Sequence, residues 1–139
     1  MRKTDRIKNT AYYEYVNVNP KGKYGGDCVI RAIAYATGQT WERTIRELTE
    51  LGIKKGLVCN DPKLYPKYLE QKGFKQMNEP RDNYNKKMSI KEWVNDWQFN
   101  SGMIVANVGS HHVTCIDSGV VKDIWDCSGD LLHKFWVKF

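Results

Sequence analysis

Apolar positions along the chain change their spacing once, at about Gly102, and that change divides a helical part from a sheet-forming part. From Cys28 to Thr37 the run Cys-Val-Ile-Arg-Ala-Ile-Ala-Tyr-Ala-Thr is apolar on most sides. This predicts a centrally buried helix, stopped by Gly38 as a natural left-handed end residue. Thr40 caps a second helix with Trp41, Ile45, Leu48 and Leu51 on one stripe, ending at Gly52. A shorter helix over about 62–72 turns Leu64, Tyr65, Tyr68 and Leu69 inward, with Pro66 disturbing its first turn. Ser89-Ile90-Lys91-Glu92 has the capping-box pattern and opens a fourth helix to about Gln98, with Trp93 and Trp97 one turn apart.

Beyond Gly102 the period shortens to that of strands. Residues 103–108, 112–117, 120–125 and 132–137 read as four successive strands. Ser118-Gly119 and Ser128-Gly129-Asp130 are the turn signals between the last three, which predicts an antiparallel meander. Thr10 to Val18, rich in Tyr and Val, is a further candidate strand, whereas 53–60 and 75–88 read as loop and polar surface connection. Helices first and strands later argue for an α+β fold in which a helical layer packs on a sheet layer. With no repeat or linker, the 139 residues form one domain, and the basic, polar residues 1–10 are expected to be a mobile arm.

Composition narrows this picture. An apolar content of 41% argues for a packed globule rather than disorder. The net charge of +6 is scattered among Arg2, Lys3, Arg6, Lys8, Lys54, Lys55, Lys86 and Lys87. Such a scatter reads as a solvated surface and argues against a dedicated nucleic-acid stripe. No apolar run reaches transmembrane length, and the N-terminus lacks the apolar core of a signal peptide. Cytoplasmic location, with Cys28, Cys59, Cys115 and Cys127 as free thiols, is therefore the expectation. These cysteines show no Cys-x-x-Cys spacing, so a zinc site would need a scattered set drawn from Cys59, Cys115, Cys127, His111, His112 and His133. No metal and no cofactor is implied. Trp41, Trp93, Trp97, Trp125 and Trp136 read as core or cleft wall rather than a base-stacking platform.

The chemistry concentrates at Gly25-Gly26-Asp27-Cys28 and Gly109-Ser110-His111-His112. Asp27 as helix N-cap places Cys28 at the first helical position, where free N–H groups and the helix dipole favour a thiolate. A buried cysteine in a helix is, taken alone, more often a small core residue. The downstream histidine and aspartate change that balance. Strand alternation puts His112, Thr114 and Ile116 on one face, and Val121, Asp123 and Trp125 on one face of the next strand. If the hairpin keeps those faces together, Asp123 reaches the imidazole of His112 while Trp125 shields the contact. His111 is the rival base and Asp126 the rival orienter. Arg31 is a structural ion-pair partner or a cleft residue.

This arrangement resembles the papain-like cysteine peptidase superfamily, whose nucleophile starts the central helix. In that family the histidine lies on a strand and an orienting Asn or Asp lies on the next strand beside a tryptophan. Asp123-Ile124-Trp125 is similar to the family's Asn-Ser-Trp, and the run from Asp27 to Ala34 looks like small papain-like proteins of bacteria and phages. The resemblance covers residues 19–126. It implies a papain-like fold and a thiol hydrolase cleaving an amide bond, peptide or isopeptide, in a peptide or protein substrate. Cys28, His112 and Asp123 are then the catalytic triad, with Asp27 and Trp125 in the cleft. Two departures stand out. No glutamine precedes Gln39, so the oxyanion donor falls to Asn17 or Asn19 with the Cys28 N–H. The carboxylate of Asp27, next to the nucleophile, opposes a thiolate unless its charge is taken up. The missing glutamine is what favours the alternative, a papain-like binding module without turnover; a basic nucleic-acid-binding domain is the weaker third class.

Overall fold

The computed structural model describes residues 7–23, 25–97 and 102–138. Most of the expected basic arm, residues 1–6, lies outside the described residues, as do Gln98 and the side chain of Trp97. The described chain is α+β, with β1 (Tyr13–Tyr15), α1 (Cys28–Thr37), α2 (Trp41–Lys55), α3 (Tyr65–Gln71), β2 (Lys75–Met77), α4 (Ile90–Trp97), β3 (Met103–Val108), β4 (His112–Asp117), β5 (Val120–Asp123) and β6 (Leu132–Lys138). The strands form one mixed sheet in the order β1-β5-β4-β3-β6-β2, with β1 parallel to β5 and every other pair antiparallel.

Local signals hold well in the helices. The Thr40 hydroxyl accepts from the Arg43 N–H at 3.0 Å, and Ser89 and Glu92 close both halves of their capping box at 3.0 and 3.2 Å. However, α2 runs through Gly52 and ends one turn later at Gly56. A Cβ on Gly52 would lie 2.3 Å from the Leu57 carbonyl oxygen, so this glycine makes room for the returning chain rather than ending the helix. Helix α3 starts at Tyr65, later than the pattern suggests, with Pro66 accommodated in its first turn.

Long-range pairing departs from the simple meander. The hairpins β3–β4 and β4–β5 form as expected, but β6 lies beside β3 rather than β5. The reason is the segment after β5. Its carbonyls at Ser128 and Asp130 accept from the Lys91 and Ile90 N–H groups, and the Leu132 N–H donates to Met88. The start of α4 thus carries the chain across the sheet end before β6 begins. The 75–88 connection contributes edge strand β2, whose residues are largely exposed and so carry no alternation. Conversely, the strand expected over 10–18 shrinks to three residues; the N–H groups of Tyr12 and Asn19, on either side of it, are taken by the Thr10 hydroxyl and the Asn17 side chain.

The helices do not form one layer. Helices α1–α3 pack with Val105, Val113, Cys115 and Trp136 on one side of the sheet. On the other side, α4 packs through Ile90, Trp93 and Val94 against Ile104, Val108, Ile116 and Phe135. The period-two pattern of β3, β4 and β6 feeds both cores, so the sheet is buried on both faces.

A thiol, an imidazole and a carboxylate at the sheet rim

Cys28 is the first residue of α1 and His112 the first of β4, so the two meet at the rim of the sheet. Gly26, at φ 69°, takes the left-handed turn that brings the chain into the helix. The Cys28 thiol is half-buried, with the His112 imidazole and the Val113 backbone N–H close enough to act on it. Burial pushes this thiol up, but those two groups, with the positive charge of Arg31, outweigh burial and bring it below the ordinary thiol value.

His112 Nε2 lies 2.7 Å from Asp123 Oδ2, which leaves Nδ1 as the ring nitrogen open to the thiol. Burial works against the imidazolium. The hydrogen bonds to Asp123, Cys127 and Cys28 more than offset it and push His112 up to about 11. Both shifts act in the sense that favours a thiolate paired with an imidazolium over the neutral pair. The Trp125 ring covers the histidine with its centroid 4.7 Å away. It does so from the segment following β5, which ends at Asp123 instead of continuing through Trp125.

Asp123, 4% exposed, is fixed from several directions. The Thr114 hydroxyl donates to Oδ2 at 2.6 Å, the Ile124 N–H donates to Oδ1 at 2.7 Å, and Arg31 Nη2 stands 3.6 Å from Oδ1. Its backbone carbonyl accepts from the Tyr13 hydroxyl and the Val16 N–H. This carboxylate cannot swing away, and it holds the imidazole in one orientation.

The rivals are placed elsewhere. His111 is exposed at φ 67° in the turn before β4, and Asp126 accepts from the Ser128 N–H and hydroxyl in its own turn. Asp27 stands at the N-cap position of α1, but its side chain makes no capping bond. Arg31, one turn on, draws the carboxylate into an ion pair, and Trp41 Nε1, Asn19 Nδ2 and the Gly25 N–H donate to it as well. Asn17 and Asn19 lie in that loop with their side chains committed to it: Asn17 to Lys23 and Asn19, Asn19 to Asp27 and Lys21. The start of α1, in contrast, keeps its first N–H groups free of any side-chain cap, as an anion site beside the sulfur requires.

A small recess of about 10 Å³, room for about one water molecule, lies beside the thiol, lined by Val16, Val18, Cys28, Arg31, Thr114 and Asp123 among others. Of the scattered thiols and histidines, Cys127 joins His112 and Asp123, with ligand atoms all within 4.8 Å of one another. Among the described residues these three are the set close enough together to hold a metal, although the carboxylate is already occupied by protein donors. Cys115 and His133 are engaged elsewhere, with Met103 and with Glu79 and the Gly109 carbonyl.

Thr114 and Cys127 are participants to which the sequence pattern gives no role beside Cys28, whereas Arg31, expected as an ion-pair partner or a cleft residue, pairs with Asp27 and lines the recess. Thr114 shares a strand face with His112, which is the signal that could have found it. Cys127 sits in an aperiodic turn and has no such signal. Comparison of the chain with protein-family models, with curated proteins and with solved structures gave no match.

Proposed function

We propose that the chain is a small papain-like thiol hydrolase acting on an amide bond of a peptide or protein. The observation that carries this reading is the convergence of Cys28, His112 and Asp123 from α1, β4 and β5, with His112 held 2.7 Å from Asp123 and acting on the Cys28 thiol. In the proposed reaction the Cys28 thiolate attacks the carbonyl carbon, and the α1 N–H groups stabilise the oxyanion. His112, protonated at the start, gives its proton to the leaving amine. It then removes one from the water that hydrolyses the thioester, while Asp123 keeps the ring in place.

A second reading, a papain-like binding module without turnover, draws on a specific observation. The side chains of Asn17 and Asn19 are spent within their loop, so neither supplies the missing glutamine's amide. p-Nitrophenyl acetate separates the two readings, with a mixed set of short peptide amides as the second substrate. The hydrolase should show an acetyl group on Cys28 by mass spectrometry, followed by steady turnover of both substrates that is lost in Cys28→Ala. Acetylation spread equally over the thiols without turnover would establish the binding module.

A further inference from the structure

Arg31 is 7% exposed and faces two carboxylates at once. Its Nη1 pairs with Asp27 and its Nη2 approaches Asp123 Oδ1 at 3.6 Å, its Nε is buried with no hydrogen-bond partner among the described residues, and the residue is among those lining the recess beside Cys28. One cation thus sits between the residue preceding the nucleophile and the residue orienting the base. We propose that Arg31 is a positioning residue of this site, which takes up the charge of Asp27 at the thiol and holds Asp123 toward His112. The proposal rests on the Cys28–His112 reading and goes beyond it, since nothing in a Cys-His-Asp series by itself calls for a buried arginine.

The electrostatic logic is direct. An unneutralised carboxylate next to Cys28 would disfavour the thiolate. The hydrogen bonds from Trp41, Asn19 and Gly25 disperse that charge, but among the described residues the ion pair that cancels it comes from Arg31. A planar guanidinium suits this place better than an ammonium, because it addresses two carboxylates through different nitrogens. Other titratable or charged groups face Cys28 and its recess: His112 from β4, Lys122 and Asp123 from β5, Tyr35 on α1 and Tyr65 from α3. Lys122 is engaged with Glu14 at 3.1 Å and does not substitute for Arg31.

The test is the pH profile of Cys28 alkylation by iodoacetamide in the full chain, read residue by residue by mass spectrometry. Wild type should react with a midpoint below the free-thiol value of ~8.5. Arg31→Met should raise that midpoint by about one unit, a tenfold loss of rate at pH 6. Adding Asp27→Asn to Arg31→Met should recover most of that shift, and Arg31→Lys should lie between wild type and Arg31→Met. A purely structural arginine would not be rescued by removing its partner's charge. Should Arg31→Met fail to fold, Asp27→Asn alone decides, with a midpoint below that of wild type. An unmoved midpoint in Arg31→Met, an unrescued double variant, or an unmoved or raised midpoint in Asp27→Asn overturns the role of Arg31 and leaves the hydrolase reading intact. A wild-type Cys28 with an ordinary thiol profile overturns both.

Discussion

Two thiols near the same helix show how the surroundings of a sulfur decide which way its proton affinity moves. Cys115 lies in the middle of β4, fully buried on the α1 side of the sheet, and burial raises its thiol well above the ordinary value. Cys28 is also largely covered, yet its thiol is lowered, because it stands at a helix start with an imidazole, a backbone N–H and a guanidinium around it. Desolvation acts on both sulfurs in the same sense. The difference is whether positive partners are close enough to outweigh it. Cys127 falls between the two: it touches His112 but is buried too deeply for that contact to prevail, and burial raises it.

The largest disturbance to this contrast should come from the carboxylate. Asp123→Ala leaves the partners of a buried ion-pair network unpaired and should cost about 3–5 kcal/mol in urea unfolding at pH 7. Removing the imidazole comes next. His112→Ala should slow Cys28 alkylation at pH 6 by about 100-fold and leave Cys28 no more reactive than a free thiol. A milder change, Asp123→Asn, should reveal the sign of the pH dependence. The folded value of His112, about 11, lies above its unfolded ~6.5. The stabilisation is therefore complete below pH 6.5 and is lost as pH rises toward 11. The stability gap between wild type and Asp123→Asn should accordingly narrow from pH 6 to pH 10, and a widening gap would refute the charged pair. On the interior side, Cys115→Ala should cost about 1 kcal/mol and leave the Cys28 profile unchanged. The smallest effect should come from Trp125→Leu, which removes the cover from His112 and should lower Cys28 reactivity about twofold, measured as the alkylation rate at pH 6.

The same contrast between local and distant causes decides how much was legible in the sequence. Helix α1, the Thr40 cap, the Ser89–Glu92 box and the two hairpins rest on neighbours within a few residues, and they are visible in the pattern. The pairing of His112 with Asp123 is also readable, because a two-residue turn between alternating strands places Thr114 and Asp123 on one face. What could not be read depends on partners far along the chain. Strand β6 finds β3 only because the start of α4 captures the 128–132 segment, and the position of α4 on the opposite side of the sheet has no local signal. Asp27 has the composition of a capping residue, but its side chain is directed instead by Arg31 and by Trp41 from the next helix. Arg31 is legible as an ion-pair partner or a cleft residue, but only the fold shows the second carboxylate across from it.

The central claim is that Cys28 and His112 share a thiolate–imidazolium pair at neutral pH. Thiolate absorbance near 240 nm, followed from pH 4 to pH 10 as the difference between wild type and Cys28→Ser, measures it directly. A Cys28-dependent band already present at pH 7, well below the ~8.5 of a free thiol, is the predicted result. A band that develops only above pH 8.5 would contradict the account.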